Sequence, residues 1–243
     1  MNLRTVVRAV GAAAVAGGIG VAGPMTTLAA TATATPSASP QPAVTLAQLK
    51  ARCDDAVQRR LATLGADLTF VDQSGALTPP DRQDLQGQIN ADTAGLKQLD
   101  ATIQQDATLQ QARADCAKIV TGYRVYVLED PKIHEVIAAD GVSKADAAFE
   151  VLIPQLQDLI ENSSQPPAVK QQAETALSDL RSKVTASETS ISGVSAAVIG
   201  LQPSGYPGNV VVLKSAAQNI HTSRTDLDGA RADVNTILHL LGG

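Results

Sequence analysis

The chain has 243 residues, of which 44% are hydrophobic but only 2% aromatic, with no Trp and a formal net charge of −5. A core with so few rings must be aliphatic, which suits close-packed helices. The composition argues against aromatic platforms for sugars and against base stacking with single-stranded nucleic acid. Scattered Lys and Arg in an acidic chain also argue against nucleic-acid binding through phosphates.

The first 30 residues predict a secretory signal peptide. Arg4 and Arg8 precede an apolar run, Ala9–Gly23, and small residues follow it. This order is typical of export signals, and the run is short for an uncleaved spanning helix, which needs about 20 apolar residues. Cleavage after Ala30 or Ala32 would remove both arginines and leave an exported protein without a stable membrane anchor.

The rest of the chain predicts a spacer and two helical parts. Residues 31–44 read TATATPSASPQPAV, a composition typical of disordered spacers. Residues 45–163 predict the N-terminal portion of a helical bundle, and residues 164–243 predict an antiparallel helical hairpin. The predicted fold class is all-α: an elongated antiparallel bundle with a long C-terminal coiled-coil hairpin.

Capping signals divide residues 45–120 into three helices. Thr45 and Gln48 have the spacing of a capping box. Thr78, followed by two prolines and an aspartate, predicts the second helix start, and Asp106 is the expected cap of the third helix.

Helical periodicity stops in the segment 122–142. Its β-branched and aromatic residues alternate with other side chains, which predicts a short strand or an irregular crossover, with a continued helix as the alternative. Helix is expected to resume at Pro131 or after Ser143.

The last third has the most regular pattern. Apolar residues from Val169 to Leu201 alternate spacings of four and three, as in a heptad seam. The turn-rich loop 202–209 follows, with Asn209 as the expected cap of the final helix. Two long helices joined by a short loop should lie antiparallel.

The two cysteines, Cys53 and Cys116, predict a disulfide, since an exported protein meets an oxidising compartment. Their similar distances from the predicted caps place both sulfurs at similar heights on two parallel helices. Two reduced, buried thiols are the alternative. A metal site is not expected, because two Cys and three distant His show no paired ligand spacing.

Of the three histidines, His134 has the neighbours most suited to catalysis. Asp130, Glu135 and Asp140 lie near it in the sequence, and a general base oriented by a carboxylate needs such a neighbourhood. Acidic residues are common in this chain, however, and the common nucleophile, phosphate-loop and calcium-loop motifs are absent from the sequence. A polar surface or capping histidine is therefore the favoured interpretation.

The segment TGYRVYVLEDPKIHEVIAAD at 121–140 and the turn PSGYPGN between two long Ala-rich helices complete a distinctive layout. With its export signal, spacer and paired cysteines, the chain resembles uncharacterised secreted helical proteins of high-GC actinobacteria. The resemblance implies export and an all-α fold, and no activity. Within it, we expect partner contacts at Tyr123, Arg124, Tyr126, His134 and Tyr206.

The sequence therefore favours a secreted, non-enzymatic structural or interaction protein of the cell envelope. We expect it to bind a protein partner or to self-associate through its helical seams, without a cofactor. The alternative is a small hydrolase or ligand-binding bundle that uses the His134 region. A third hypothesis is lipid or surfactant binding between the helices.

Overall fold

The structure is a computed structural model that describes residues 44–242, and these residues form an all-α bundle, as predicted. The described part contains no β-strand. The predicted signal peptide and residues 31–43 of the predicted spacer lie outside the described residues. The helices are α1 (Leu46–Gln73), α2 (Pro79–Gln105), α3 (Leu109–Thr121), α4 (Asp130–Glu161), α5 (Pro167–Ile191), α6 (Val194–Ile199) and α7 (Asn209–Leu240), with a π-helix (Val125–Glu129) before α4 and a 3₁₀ turn (Pro203–Gly205) before α7.

Two of the predicted caps are confirmed. Thr45 Oγ1 accepts a hydrogen bond from the Gln48 amide at 3.2 Å, and the Thr45 amide donates to Gln48 Oε1 at 3.0 Å. Thr78 Oγ1 accepts from the Asp81 amide at 3.2 Å. These bonds satisfy amide groups that the first turn of a helix leaves without partners.

The predicted cap at Asp106 is wrong, because Thr108 caps α3 instead. Thr108 Oγ1 accepts from the Gln111 amide at 3.2 Å, while the Thr108 amide donates to Gln111 Oε1 at 3.1 Å. A reciprocal capping box satisfies two orphan amides, whereas an aspartate two residues earlier offers only an acceptor.

The first three helices run up, down and up. Lys50 Nζ at the start of α1 donates to the carbonyl of Gln104 at the end of α2 at 2.8 Å, as antiparallel neighbours require. Cys53 and Cys116 form the predicted disulfide between α1 and α3, with their Cα atoms 5.7 Å apart. The pairing ties the first helix to the helix that leads into the 122–142 segment.

The segment 122–142 contains no strand, so the predicted strand is wrong: residues 122–124 form a turn after α3, and helix follows from Val125. Arg124 adopts a left-handed conformation (φ 47°, ψ 37°), and the π-helix Val125–Glu129 starts directly after it. The α4 helix continues from Asp130 without a break. Tyr126 and Val127 are neighbours and both exposed, so the side chains do not alternate between two faces as they would in a strand.

The C-terminal region departs from the predicted pair of unbroken helices. Gly193 adopts φ 72° and ends the first of them, so α5 stops at Ile191 and α6 is a separate short helix. Asn209 does not cap α7, because its side-chain nitrogen Nδ2 donates a hydrogen bond to the Gln202 carbonyl at 2.6 Å, across the preceding loop. This bond closes the loop from within.

Helices α5 and α7 lie antiparallel, with Lys183 Nζ 2.5 Å from Asp233 Oδ2 and Ser223 Oγ donating to the Ser187 carbonyl at 3.1 Å. The α4 helix packs against both of them and against α1. It therefore connects the two predicted parts through one aliphatic core, in which Phe149 is a fully buried ring. The coiled-coil character of the hairpin stays a prediction.

Candidate functional site around the π-helix

The junction between α3 and the π-helix places Arg124 and Tyr206 together. The Arg124 guanidinium lies 4.0 Å from the centre of the Tyr206 ring, in the loop before α7. A left-handed non-glycine residue costs about 1 kcal/mol or more, so this cation–π contact helps to hold a strained position. Two of the residues expected to contact a partner thus also stabilise the turn.

Tyr123 lies half-buried against α2. A Cβ atom at Gly95 would lie 2.5 Å from the Tyr123 hydroxyl oxygen, so only glycine leaves room for the ring. Burial and the negative charge of Asp92 raise the pKa of the Tyr123 hydroxyl. Tyr123 is therefore a packing residue between α2 and the π-helix rather than a freely exposed contact.

An inner cluster lies between α2 and the π-helix–α4 segment. Its members are Gln88, Asp92, Glu129 and Lys132. Lys132 Nζ lies 2.8 Å from Glu129 Oε2 and donates to Gln88 Oε1 at 2.9 Å. The Lys132 and Glu129 side chains are only 2% and 6% exposed. Burial and the Glu129 charge raise the pKa of Asp92 to about 6, partly offset by Lys132. The centre of this cluster is the buried ion pair of Lys132 and Glu129.

An outer cluster lies between α1 and the start of α4. Its members are Asp67, Asp130 and His134. One oxygen of each carboxylate and one imidazole nitrogen lie within 4.8 Å of one another. His134 Nε2 is 3.6 Å from Asp130 Oδ1, beyond hydrogen-bond distance, and the His134 side chain is 57% exposed. The Phe70 ring lies against the imidazole at 5.0 Å between centroids.

Asp67 is the unusual member of the outer cluster. The residue is 4% exposed, and its Oδ2 accepts no hydrogen bond within the described residues. Burial, then the negative charge of Asp130, and then a hydrogen bond that the protonated carboxyl shares with Asp130, raise the pKa of the Asp67 carboxyl to about 7. A buried carboxylate without a donor is unfavourable, so this position has a cost that packing alone does not explain.

Two large apolar side chains of the π-helix are exposed. Tyr126 is 46% exposed and Val127 is 44% exposed, and on α1 Phe70 is 40% exposed. The Arg60 guanidinium lies 4.9 Å from the centre of the Tyr126 ring. We call Phe70, Tyr126 and Val127 the exposed strip; Tyr126 and Val127 stand on the π-helix, and Phe70 stands on α1 against His134 of the outer cluster.

The sequence reasoning did not identify Asp67, Phe70 or Lys132. The sequence could have indicated Asp67, because it stands three residues after Leu64 and four before Val71, on the apolar stripe of α1. An acidic residue on a buried stripe is unusual and points to a partner or a function. No comparable local signal pairs Asp67 with Asp130, since the two are far apart in the sequence.

The described surface also contains grooves away from His134. One of them, about 480 Å³, lies between the start of α1 and the end of α2. A smaller one, about 150 Å³, lies between Ser192–Val198 and α7. No helix among the described residues is both long and apolar enough to cross a membrane.

Comparison with known proteins returns no match for this chain. No protein-family model matches it, and neither a curated protein nor a solved structure is significantly similar to it. The resemblance to secreted actinobacterial proteins therefore stays a prediction.

Proposed function

We propose that the protein is a secreted, non-enzymatic interaction protein of the cell envelope. The observation that carries this proposal is the exposed strip of Phe70, Tyr126 and Val127, each 40–46% exposed, whereas most large apolar side chains within residues 44–242 are buried. Tyrosine and arginine are enriched among residues that dominate protein–protein binding energy. We take the occupant of the strip to be another envelope protein.

The position of the rings strengthens this proposal. The chain has only five Phe and Tyr residues among 243. Three of them, Phe70, Tyr126 and Tyr206, contact a cationic or imidazole side chain of the same region. Rings held by Arg60, Arg124 and His134 are pre-ordered, and pre-ordered contacts lose less entropy when a partner binds.

Export is supported by the N-terminal pattern and by the cysteine pair. Disulfides persist in oxidising compartments and are rare in the cytosol, and Cys53 and Cys116 are at disulfide distance. N-terminal sequencing of the protein recovered outside the producing cell tests this part. We expect the chain to begin directly after Ala30 or Ala32; a full-length chain with two reduced thiols inside the cell would contradict export.

Site-specific photo-cross-linking tests the interaction. A photoreactive residue replaces Tyr126 in one variant and, as the matched control, Val151, which is 56% exposed and lies about 31 Å along α4 from the start of that helix. We expect a discrete cross-linked protein from position 126 and none from position 151. A product of twice the protein's mass would identify a second copy as the partner, and equal labelling from both positions would contradict the proposal.

The ligand-binding alternative gains one observation, the approach of Asp67 to Asp130 and His134. This juxtaposition supplies convergent polar groups on a half-exposed surface. The hydrolase version of the alternative needs a nucleophile oriented by His134, and we do not propose it.

A further inference from the structure

Three donor side chains from two helices meet in the outer cluster. Asp67 lies on α1, and Asp130 and His134 lie four residues apart at the start of α4. A spacing of four residues puts two side chains on the same face of a helix. Their donor atoms and that of Asp67 lie within 4.8 Å of one another.

The buried carboxylate points to a missing positive charge. Asp67 is 4% exposed, its Oδ2 is buried, and that oxygen has no hydrogen-bond partner within residues 44–242. The nearest polar groups in the cluster are a second carboxylate and an imidazole. Unpaired buried carboxylates are costly, and coordination to a cation is one of the few ways to satisfy them.

We propose that Asp67, Asp130 and His134 bind a divalent transition-metal cation, with Zn²⁺ as the reference ion. Imidazole nitrogen and carboxylate oxygen are both common zinc ligands. Three protein ligands leave a further coordination position for water or for a group of the partner. The zinc site rests on the ligand-binding alternative, for which it supplies the ligand. It is independent of the proposed protein interaction.

The geometry allows the site to close around an ion. Zinc bonds of about 2.0–2.1 Å place tetrahedral ligand atoms roughly 3.3 Å apart, and His134 Nε2 and Asp130 Oδ1 are already 3.6 Å apart. Their side chains are 57% and 38% exposed, so both can rotate. Asp67 is held by packing, and Phe70 lies against the imidazole ring. The site is therefore partly preorganised: Asp67 is fixed, Asp130 and His134 can adjust, and the site is open to solvent.

Isothermal titration of the tag-free, disulfide-intact protein with ZnCl₂ tests the proposal. We expect one saturable site per chain and a higher melting temperature with zinc. Asp67→Asn, Asp130→Asn and His134→Gln should each weaken binding at least about tenfold, because each removes a ligand. His221→Gln and Asp54→Asn, which alter an exposed histidine and a surface carboxylate, should bind zinc like the unsubstituted protein.

Absence of saturable binding, or unchanged binding by Asp67→Asn and His134→Gln, would overturn the site. His134→Gln alters an exposed side chain, so its result stands even where Asp67→Asn perturbs the fold. Circular dichroism of each variant without zinc checks the fold directly. Zinc titration and cross-linking at position 126 read out different events, so a failure of one proposal is distinguishable from a failure of the other.

Discussion

The inner and outer clusters differ in how their charges are satisfied, although they lie on the same short segment. In the inner cluster, Lys132 bonds Glu129 and Gln88, and both members of the ion pair are buried. In the outer cluster, two carboxylates approach each other and a half-exposed imidazole, and one buried oxygen has no donor. The ion pair of the inner cluster is satisfied within the cluster, whereas the buried Asp67 Oδ2 of the outer cluster has no hydrogen-bond donor among the described residues.

This difference separates a structural role from a functional one. A buried ion pair with its hydrogen bonds made fixes the register of α2 against the π-helix, and its loss should affect folding. A buried group left unsatisfied costs stability and is expected where a protein keeps a site for something else. Variants of each cluster test this separation.

Removing Lys132 should have the largest effect. Lys132→Met leaves Glu129 buried without its cation, which typically costs about 3–5 kcal/mol. Urea denaturation monitored by circular dichroism measures the free energy of unfolding. The double variant Glu129→Gln/Lys132→Met should recover part of the loss, because no charge remains buried without a partner. A loss below about 1 kcal/mol for the single variant would show that the inner cluster is not structural.

The two glycines of α2 form a matched pair. Gly95→Ala should destabilise the protein by about 1–3 kcal/mol, because the added Cβ would clash with the Tyr123 ring beside the inner cluster. Gly87→Ala meets nothing within 4 Å and should stabilise α2 by up to about 1 kcal/mol. Thermal unfolding of both variants gives the sign. Equal shifts in the same direction would mean that Tyr123 does not pack on α2 as described.

Asp92 should make the inner cluster sensitive to pH. Its pKa is raised from 3.8 to about 6, so the folded state binds its proton more tightly than the unfolded state does. The contribution of Asp92 to stability is therefore unfavourable above about pH 6 and is relieved as the pH falls towards 4. Asp92→Asn should stabilise the protein by about 1 kcal/mol at pH 7.5 and have little effect at pH 4. A stabilisation that is the same at both pH values would contradict this origin.

His134 should have the smallest effect on folding. The side chain is 57% exposed and makes no hydrogen bond to Asp130, so His134→Gln should change the free energy of unfolding by less than about 0.5 kcal/mol without metal. Comparison with Lys132→Met under the same conditions sharpens the contrast between the two clusters. A loss of more than 2 kcal/mol would place His134 in the structural framework instead.

Local signals in the sequence were sufficient for several elements. The caps at Thr45 and Thr78 depend on neighbouring residues, and they are where the capping patterns place them. The Cys53–Cys116 pairing followed from helix lengths and export chemistry. The error at Asp106 is also local, since Thr108 and Gln111 have the same capping-box spacing that identified the first helix.

Other features depend on contacts that a single chain segment does not reveal. The apolar seam runs through Gly193 without interruption, yet a left-handed glycine ends α5 there because the chain must turn to pack α6 against α4. The side chains of residues 123–128 alternate in type as in a strand, whereas the chain forms a left-handed turn at Arg124 and a π-helix that this local pattern does not reveal. Asp67 and Asp130 meet only because α1 and α4 pack side by side, so the candidate site required the tertiary structure.

The central claim is that the outer cluster is kept for binding at the expense of stability, and Asp67→Asn tests it most directly. Chemical denaturation of this variant and of the unsubstituted protein, each with and without ZnCl₂, gives four free energies of unfolding. We predict that Asp67→Asn is at least as stable as the unsubstituted protein without zinc, because a buried charge is removed, and that it gains no stability from zinc. A strongly destabilised variant that still gains stability from zinc would contradict the account.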